Sequence, residues 1–179
     1  EDGYEIHFAC AAAKSEYSVD LNFLQITEKS IVLNATSFNK YVKELSPEIV
    51  LFDRFMTEEQ YGWRVRGNSP RSLHILDTED LHFLRKAREE AFKKNQPVDL
   101  FGEAAMREIA AIHRCDLSII ISSVEYQLLL NSFHLPESKL VYVPFLYRST
   151  DSKKIDKSSP TYEERSNFIM IGNSLHAPN

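Results

Sequence analysis

The sequence predicts an α/β protein with a mostly parallel sheet and helices on both faces. Two observations carry that expectation. Short β-branched or aromatic runs alternate with longer segments of helical spacing along the 179-residue chain, which is the pattern of βα units rather than of a sandwich. The strand-like runs, such as Leu117-Ser118-Ile119-Ile120-Ile121, are also almost continuously apolar, as suits strands covered on both sides.

In chain order, strands are expected at 4–10, 48–52, 72–76, 117–121 and 140–143, with strand character also at 22–26 and 30–33. Helices are expected near 37–45, 57–67, 79–94, 101–114 and 123–133. The third helix places Leu81, Leu84, Ala87 and Ala91 on one side, and the fourth places Phe101, Ala105, Ile109 and Ile112. Steps of three or four make these core faces. Thr78 or Asp77 would cap the third helix, with Glu79 and Asp80 against its positive end, and Ser122 or Ser123 would cap the fifth. From Arg148 to Asn167 the composition turns to Ser, Thr, Lys and Asp and cannot build a core. The expected organisation is therefore a main domain over 1–147, a linker or surface loop over 148–167, and the start of a second domain over 168–179.

Composition narrows the class. With 43% apolar and 26% charged residues and a net charge of −5, the chain can bury one good core and is not suited to wrapping nucleic acid. No apolar run approaches the roughly 20 residues of a membrane span, and Glu1 to Ala13 lacks the basic flank of a secretory signal, so cytoplasm is expected. Cys10 and Cys115 lie in or beside apolar runs, where buried, reduced thiols are expected rather than a disulfide or a zinc site. A strand at the start, and Phe168-Ile169-Met170-Ile171-Gly172-Asn173 just before the end, read as a piece of a longer protein.

In an open α/β sheet, ligands gather beyond the carboxyl ends of the strands. The run at 48–52 delivers Asp53 and Arg54 there, that at 72–76 delivers Asp77 to His82, and that at 117–121 delivers Ser122, Ser123 and Glu125. The densest group is His74, Asp77, Glu79, Asp80 and His82. Carboxylates and an imidazole at one strand end can hold sugar hydroxyls and move protons; the plainer reading is a helix start with acidic residues against the dipole. A metal is not expected, since His74 lies within the strand and points away from the loop. Arg85 and Arg88 could bind phosphate or carboxylate, or form a solvated helix face. Ser122 and Ser123 sit where free helix amides favour an anion, and lack the flanking glycines of a nucleophile elbow. His113-Arg114-Cys115-Asp116 imitates a kinase loop without the other kinase elements, and no glycine-rich phosphate loop is present.

Taken in order, the Asp77-Thr78-Glu79-Asp80-Leu81-His82 stretch leading into a basic helix, the strand Asp116 to Ser122, Leu140-Val141-Tyr142-Val143-Pro144, and the closing Ile171-Gly172-Asn173 with His176-Ala177-Pro178-Asn179 resemble the amino-terminal half of a family 4 glycosyltransferase. The resemblance runs over most of the chain. It implies one Rossmann-like half of a GT-B fold, incomplete at both ends, facing a donor domain across a cleft. It further implies a retaining transfer of sugar from a nucleotide-sugar donor to a glycan or lipid-linked hydroxyl acceptor, without a metal or other cofactor. On this resemblance Asp77 and His82 are the catalytic candidates. Asp53, Arg54, Glu79, Asp80, Arg85, Ser122, Ser123, Gly172 and Asn173 are the substrate-binding candidates, the last two opening the donor-side loop. A lipid-linked acceptor is compatible with peripheral membrane contact, although no strongly basic amphipathic helix argues for it. The competing expectations are another α/β nucleotide-binding enzyme using the same rim, or a noncatalytic module that binds sugar or a partner.

Overall fold

The computed structural model describes residues 3–146 and 161–169. Gly172, Asn173 and much of the expected linker lie outside the described residues. Along the chain run β1 (Ile6–Cys10), β2 (Ile26–Ser30), α1 (Thr36–Leu45), β3 (Ile49–Asp53), α2 (Arg54–Asn68), β4 (Leu73–Asp77), α3 (His82–Lys94), α4 (Glu103–Arg114), β5 (Leu117–Ile120), α5 (Ser123–Ser132) and β6 (Leu140–Tyr142). The fold is α/β and Rossmann-like, with a four-stranded parallel sheet in the order β3-β4-β5-β6. Two compact units are present, and the border between them passes through β3 and α2.

One unit comprises the residues up to Val50 together with Gln60–Leu73. Its strands β1 and β2 pair in parallel, from Ile6 opposite Ile26 to Cys10 opposite Ser30. Helix α1 buries Phe38 and Val42, one turn apart on its inner face. The Phe38 ring meets Tyr61 of α2 at 4.7 Å between centroids. Arg64 is buried, donates from Nη1 to Asn39 Oδ1 at 3.0 Å, and sets its guanidinium 4.6 Å from the centre of the exposed Trp63 ring. Ser72 Oγ donates to Pro47 O at 2.6 Å, which fixes the entry to β4.

The other unit comprises Leu51–Glu59 and the residues from His74 onward. In its sheet Asp77 stands opposite Ile119, and Ile120 opposite Tyr142. Burial alternates along β4 and β5: His74, Leu76, Ser118 and Ile120 are buried, whereas Ile75, Asp77, Leu117 and Ile119 are half-buried. Helices α3 and α4 pack together, and Phe83 and Leu84 of the one and Ala105 and Ile112 of the other are buried. The kinase-like run at the end of α4 is structural. Arg114 forms an ion pair with the buried Glu58, Cys115 is buried, and Asp116 Oδ2 accepts from the His74 amide at 2.8 Å.

Several expectations are corrected. Residues 22–26 are not a strand: a 3-10 turn spans Leu21–Leu24, where the Asp20 side chain accepts from Asn22 N at 3.0 Å and Gln25 is left-handed. Such local side-chain bonds compete with strand pairing. The strand expected at 30–33 ends at Ser30, and α2 begins directly at Arg54 rather than near 57. Cys10 is half-buried rather than buried, while Cys115 is fully buried, and the two do not form a disulfide. Phe101 precedes α4 and is exposed. Helix α3 begins at His82, not at 79, and its N-cap is Leu81 with no side-chain cap. Neither Thr78 nor Asp77 caps it, and Glu79 and Asp80 precede its first turn. No helix among the described residues is long and apolar enough to cross a membrane.

Candidate functional site

The rim beyond β3, β4 and β5 is built by one unit and starts from Asp77, the last residue of β4. Its Oδ1 accepts from Glu79 N at 3.1 Å, closing a tight turn in which Glu79 holds a left-handed φ of 60°. Thr78 is buried, and its Oγ1 donates to Ile119 O of β5 at 2.8 Å. At the end of β3, Arg54 is also left-handed, with φ 67°. Each carries a conformational cost, and the same left-handed conformation occurs away from the rim at Gln25, Asn34, Ser46, Asn95 and His134.

Asp53 and Arg54 pair with each other, Nε to Oδ1 at 2.9 Å and Nη2 to Oδ2 at 3.1 Å. That hydrogen bond raises the Arg54 pKa, helped by the nearby charges of Asp53, Glu79 and Asp80. Asp80 in turn accepts from Arg85 Nη1 at 3.1 and 2.9 Å, and lies 3.4 Å from His82 Nε2. The His82 side chain is only 16% exposed, its ring edge-on to Phe55 at 5.9 Å. Burial lowers its pKa, with Arg85 acting in the same direction and Asp80 opposing. Burial thus favours the neutral form of the His82 imidazole, the form that can accept a proton from a hydroxyl.

The structure thus brings Asp53, Arg54, Asp77, Glu79, Asp80, His82 and Arg85 to one edge. Ser122 joins differently: its Oγ accepts from Glu125 N at 3.4 Å as the α5 cap. Ser123 is the first residue of α5 and exposed. His74 is buried with its ring 5.3 Å from Phe52, away from the rim. A depression of about 310 Å³ lies elsewhere, between α3 and α4, lined by Lys86, Glu90, Lys94 and Asp99. Its mixed charges favour no ligand.

Sequence reasoning missed the residue that holds the rim in place. Glu108 of α4 is fully buried, and its carboxylate accepts from His82 N at 3.2 Å and Phe83 N at 2.8 Å. Glu125 of α5 accepts from Leu81 N at 3.3 Å through Oε1, while its Oε2 is buried with no hydrogen-bond partner among the described residues. The signal for Glu108 was present: it interrupts the apolar stripe between Ala105 and Ile112, where a charge needs buried partners. Burial pushes the Glu108 carboxyl up to about 7, against the pull of its two amide bonds and with Asp80 and Glu125 adding to the rise. Burial raises Glu125 as well.

The sign of the resulting pH dependence follows. Folded Glu108 keeps its proton to about pH 7, whereas an unfolded glutamate releases it near 4.3. Between those values the folded state binds more protons, so this group favours folding fully below pH ~4.3 and the contribution is lost as pH rises through ~7. The swing is on the order of 3–4 kcal/mol. The stability of Glu108→Gln relative to the unmodified protein should therefore rise between pH 5 and 8 in urea titrations. A difference independent of pH would contradict the raised carboxyl.

Compared with known proteins, the chain matches no family model, no curated protein and no solved structure.

Proposed function

We propose that this chain is the acceptor-side part of a retaining glycosyltransferase that moves a sugar from a nucleotide-sugar donor to a hydroxyl of a glycan or lipid-linked acceptor. The observation that carries the reading is the half-buried His82 imidazole, 3.4 Å from the Asp80 carboxylate, on a strand edge that also holds Asp77, Arg54 and Glu79. The resemblance in the order of motifs points the same way. On this reading Asp77 and Asp80 accept hydrogen bonds from acceptor hydroxyls, Arg85 fixes Asp80, and His82 takes the proton of the attacking hydroxyl. The acceptor oxygen then bonds to the anomeric carbon on the face from which the nucleoside diphosphate departs with the electron pair of the broken C–O bond, so the configuration is retained. Ser122, Ser123, Gly172 and Asn173 are the candidates for the donor side.

The test is transfer from UDP- and GDP-sugars by the full-length protein and by the 179-residue chain alone. The full-length protein should turn over and the chain alone should not, because both walls of such a cleft are needed to exclude water and fix the donor. Robust turnover by the chain alone would overturn the half-site reading. Saturable sugar binding without transfer by the full-length protein would favour a noncatalytic module.

A further inference from the structure

We propose that Glu108 is a positioning residue for the rim: its carboxylate, delivered from α4, is the cap that α3 lacks, and it sets where Asp80 and His82 stand. The proposal rests on reading the rim as the acceptor site. Helix α3 has apolar, fully buried Leu81 at its N-cap, and the free amides of His82 and Phe83 are met instead by a residue distant in sequence. A Ser or Thr at position 81 could accept from the Phe83 or Leu84 amide from next to the helix, without burying a charge. The arrangement found here holds a carboxylate out of water beside two others, Asp80 and Glu125, which is a costly way to cap a helix. What it gains is coupling. The backbone from Leu81 to Phe83 is gripped from α4 by Glu108 and from α5 by Glu125, so the imidazole of His82 is fixed relative to the sheet edge rather than to its own helix alone.

A carboxylate can accept from both amides, but a protonated carboxyl has turned one oxygen into a donor and can no longer serve both well. The grip therefore depends on the charge of Glu108. The groups acting on that charge are Asp80 from the loop before α3 and Glu125 from α5, both anionic. Arg85 binds Asp80, and Arg88 acts on Glu125. His82 adjoins the grip and titrates below its ordinary value.

The amide NMR signals of Leu81, His82 and Phe83 are followed from pH 5 to 8.5, and the pH profile of kcat/KM is measured on the full-length enzyme. In the unmodified protein the amides should titrate together with a midpoint near 7, the value to which Glu108 is pushed, and the same midpoint should persist in His82→Ala. In Glu108→Gln the transition should vanish, kcat/KM should fall about tenfold or more above pH 7, and the acid limb near pH 7 should flatten. If Glu108→Gln does not fold, the titration of the unmodified protein decides. Amides that shift only below pH 6.5, following the His82 ring, would overturn the grip. Amides that shift near pH 7 beside a kcat/KM profile unchanged in Glu108→Gln would leave Glu108 as a cap and overturn its positioning role. Absence of any transfer by the unmodified full-length protein would instead overturn the glycosyltransferase reading, and would be distinguishable from both.

Discussion

On the proposed glycosyltransferase reading, replacing His82 by alanine is expected to slow the single-turnover rate of sugar transfer by about 10²-fold or more, the scale of a positioned acid–base group, while the fold survives. His82 is the first residue of α3 and contributes its backbone amide to Glu108, which alanine retains. What is lost is the imidazole, packed on Phe55 and held neutral by burial. Asp77→Asn removes a charge but keeps an oxygen to accept from Glu79 N, so the turn that bears Asp80 is preserved. If Asp77 contacts the transferring hydroxyl, the rate falls on the same scale as for His82. If the rim is only the turn before α3, weakening the Asp77–Glu79 hydrogen bond costs about 1 kcal/mol and leaves turnover nearly intact. Melting temperature and single-turnover rate, measured on both variants, separate the outcomes, and unchanged rates in both would refute the catalytic assignment while leaving the fold standing.

The largest loss of stability is expected at Arg114. Glu58 is 1% exposed and takes Arg114 Nε at 3.0 and 2.9 Å and Nη2 at 2.5 Å. Arg114→Met keeps the aliphatic stem but strands a buried carboxylate, and breaking such a pair costs about 3–5 kcal/mol. The 40% exposure of the Arg114 side chain lets water reach the gap and places the loss at the lower end. For a chain of this size each kcal/mol lowers the melting temperature by roughly 2–4 °C. Adding Glu58→Leu should recover most of the loss, since two apolar residues leave no charge uncompensated. A single variant within 1 °C of the unmodified protein would show that the pair contributes nothing.

These two sites also mark what was legible in the sequence. The parallel strands ending at Asp53 and Asp77 were visible because apolar runs of strand length are read locally, and so was Ser122 as a cap beside α5. The start of α3 was not. Its amides are served by Glu108 and Glu125, and a cap supplied from another helix leaves no mark next to the helix it caps. Glu58 escaped notice for the same reason: on an exposed-looking stretch rich in Glu and Arg, nothing local says that its partner is Arg114. The clustering of Asp80, Arg85 and His82 followed from the rule that strand ends gather ligands, but the neutral state of His82 depends on Phe55 and on burial, which only the fold supplies.

Trp63, the chain's only tryptophan, belongs with the unit that contains β1 and β2, and carries the Arg64 guanidinium over its exposed ring. Tryptophan emission, excited on the red edge where tyrosine does not absorb, is therefore a reporter of that unit alone, with no indole in the unit that carries the rim. Helix α2 runs through both units without a break. If the units melt as one, Trp63 emission and the circular dichroism of the whole chain trace the same curve, as two-state unfolding requires. If they melt apart, Arg114→Met displaces the dichroism curve and leaves the tryptophan emission curve where it was, so the single indole doubles as an internal gauge of cooperativity.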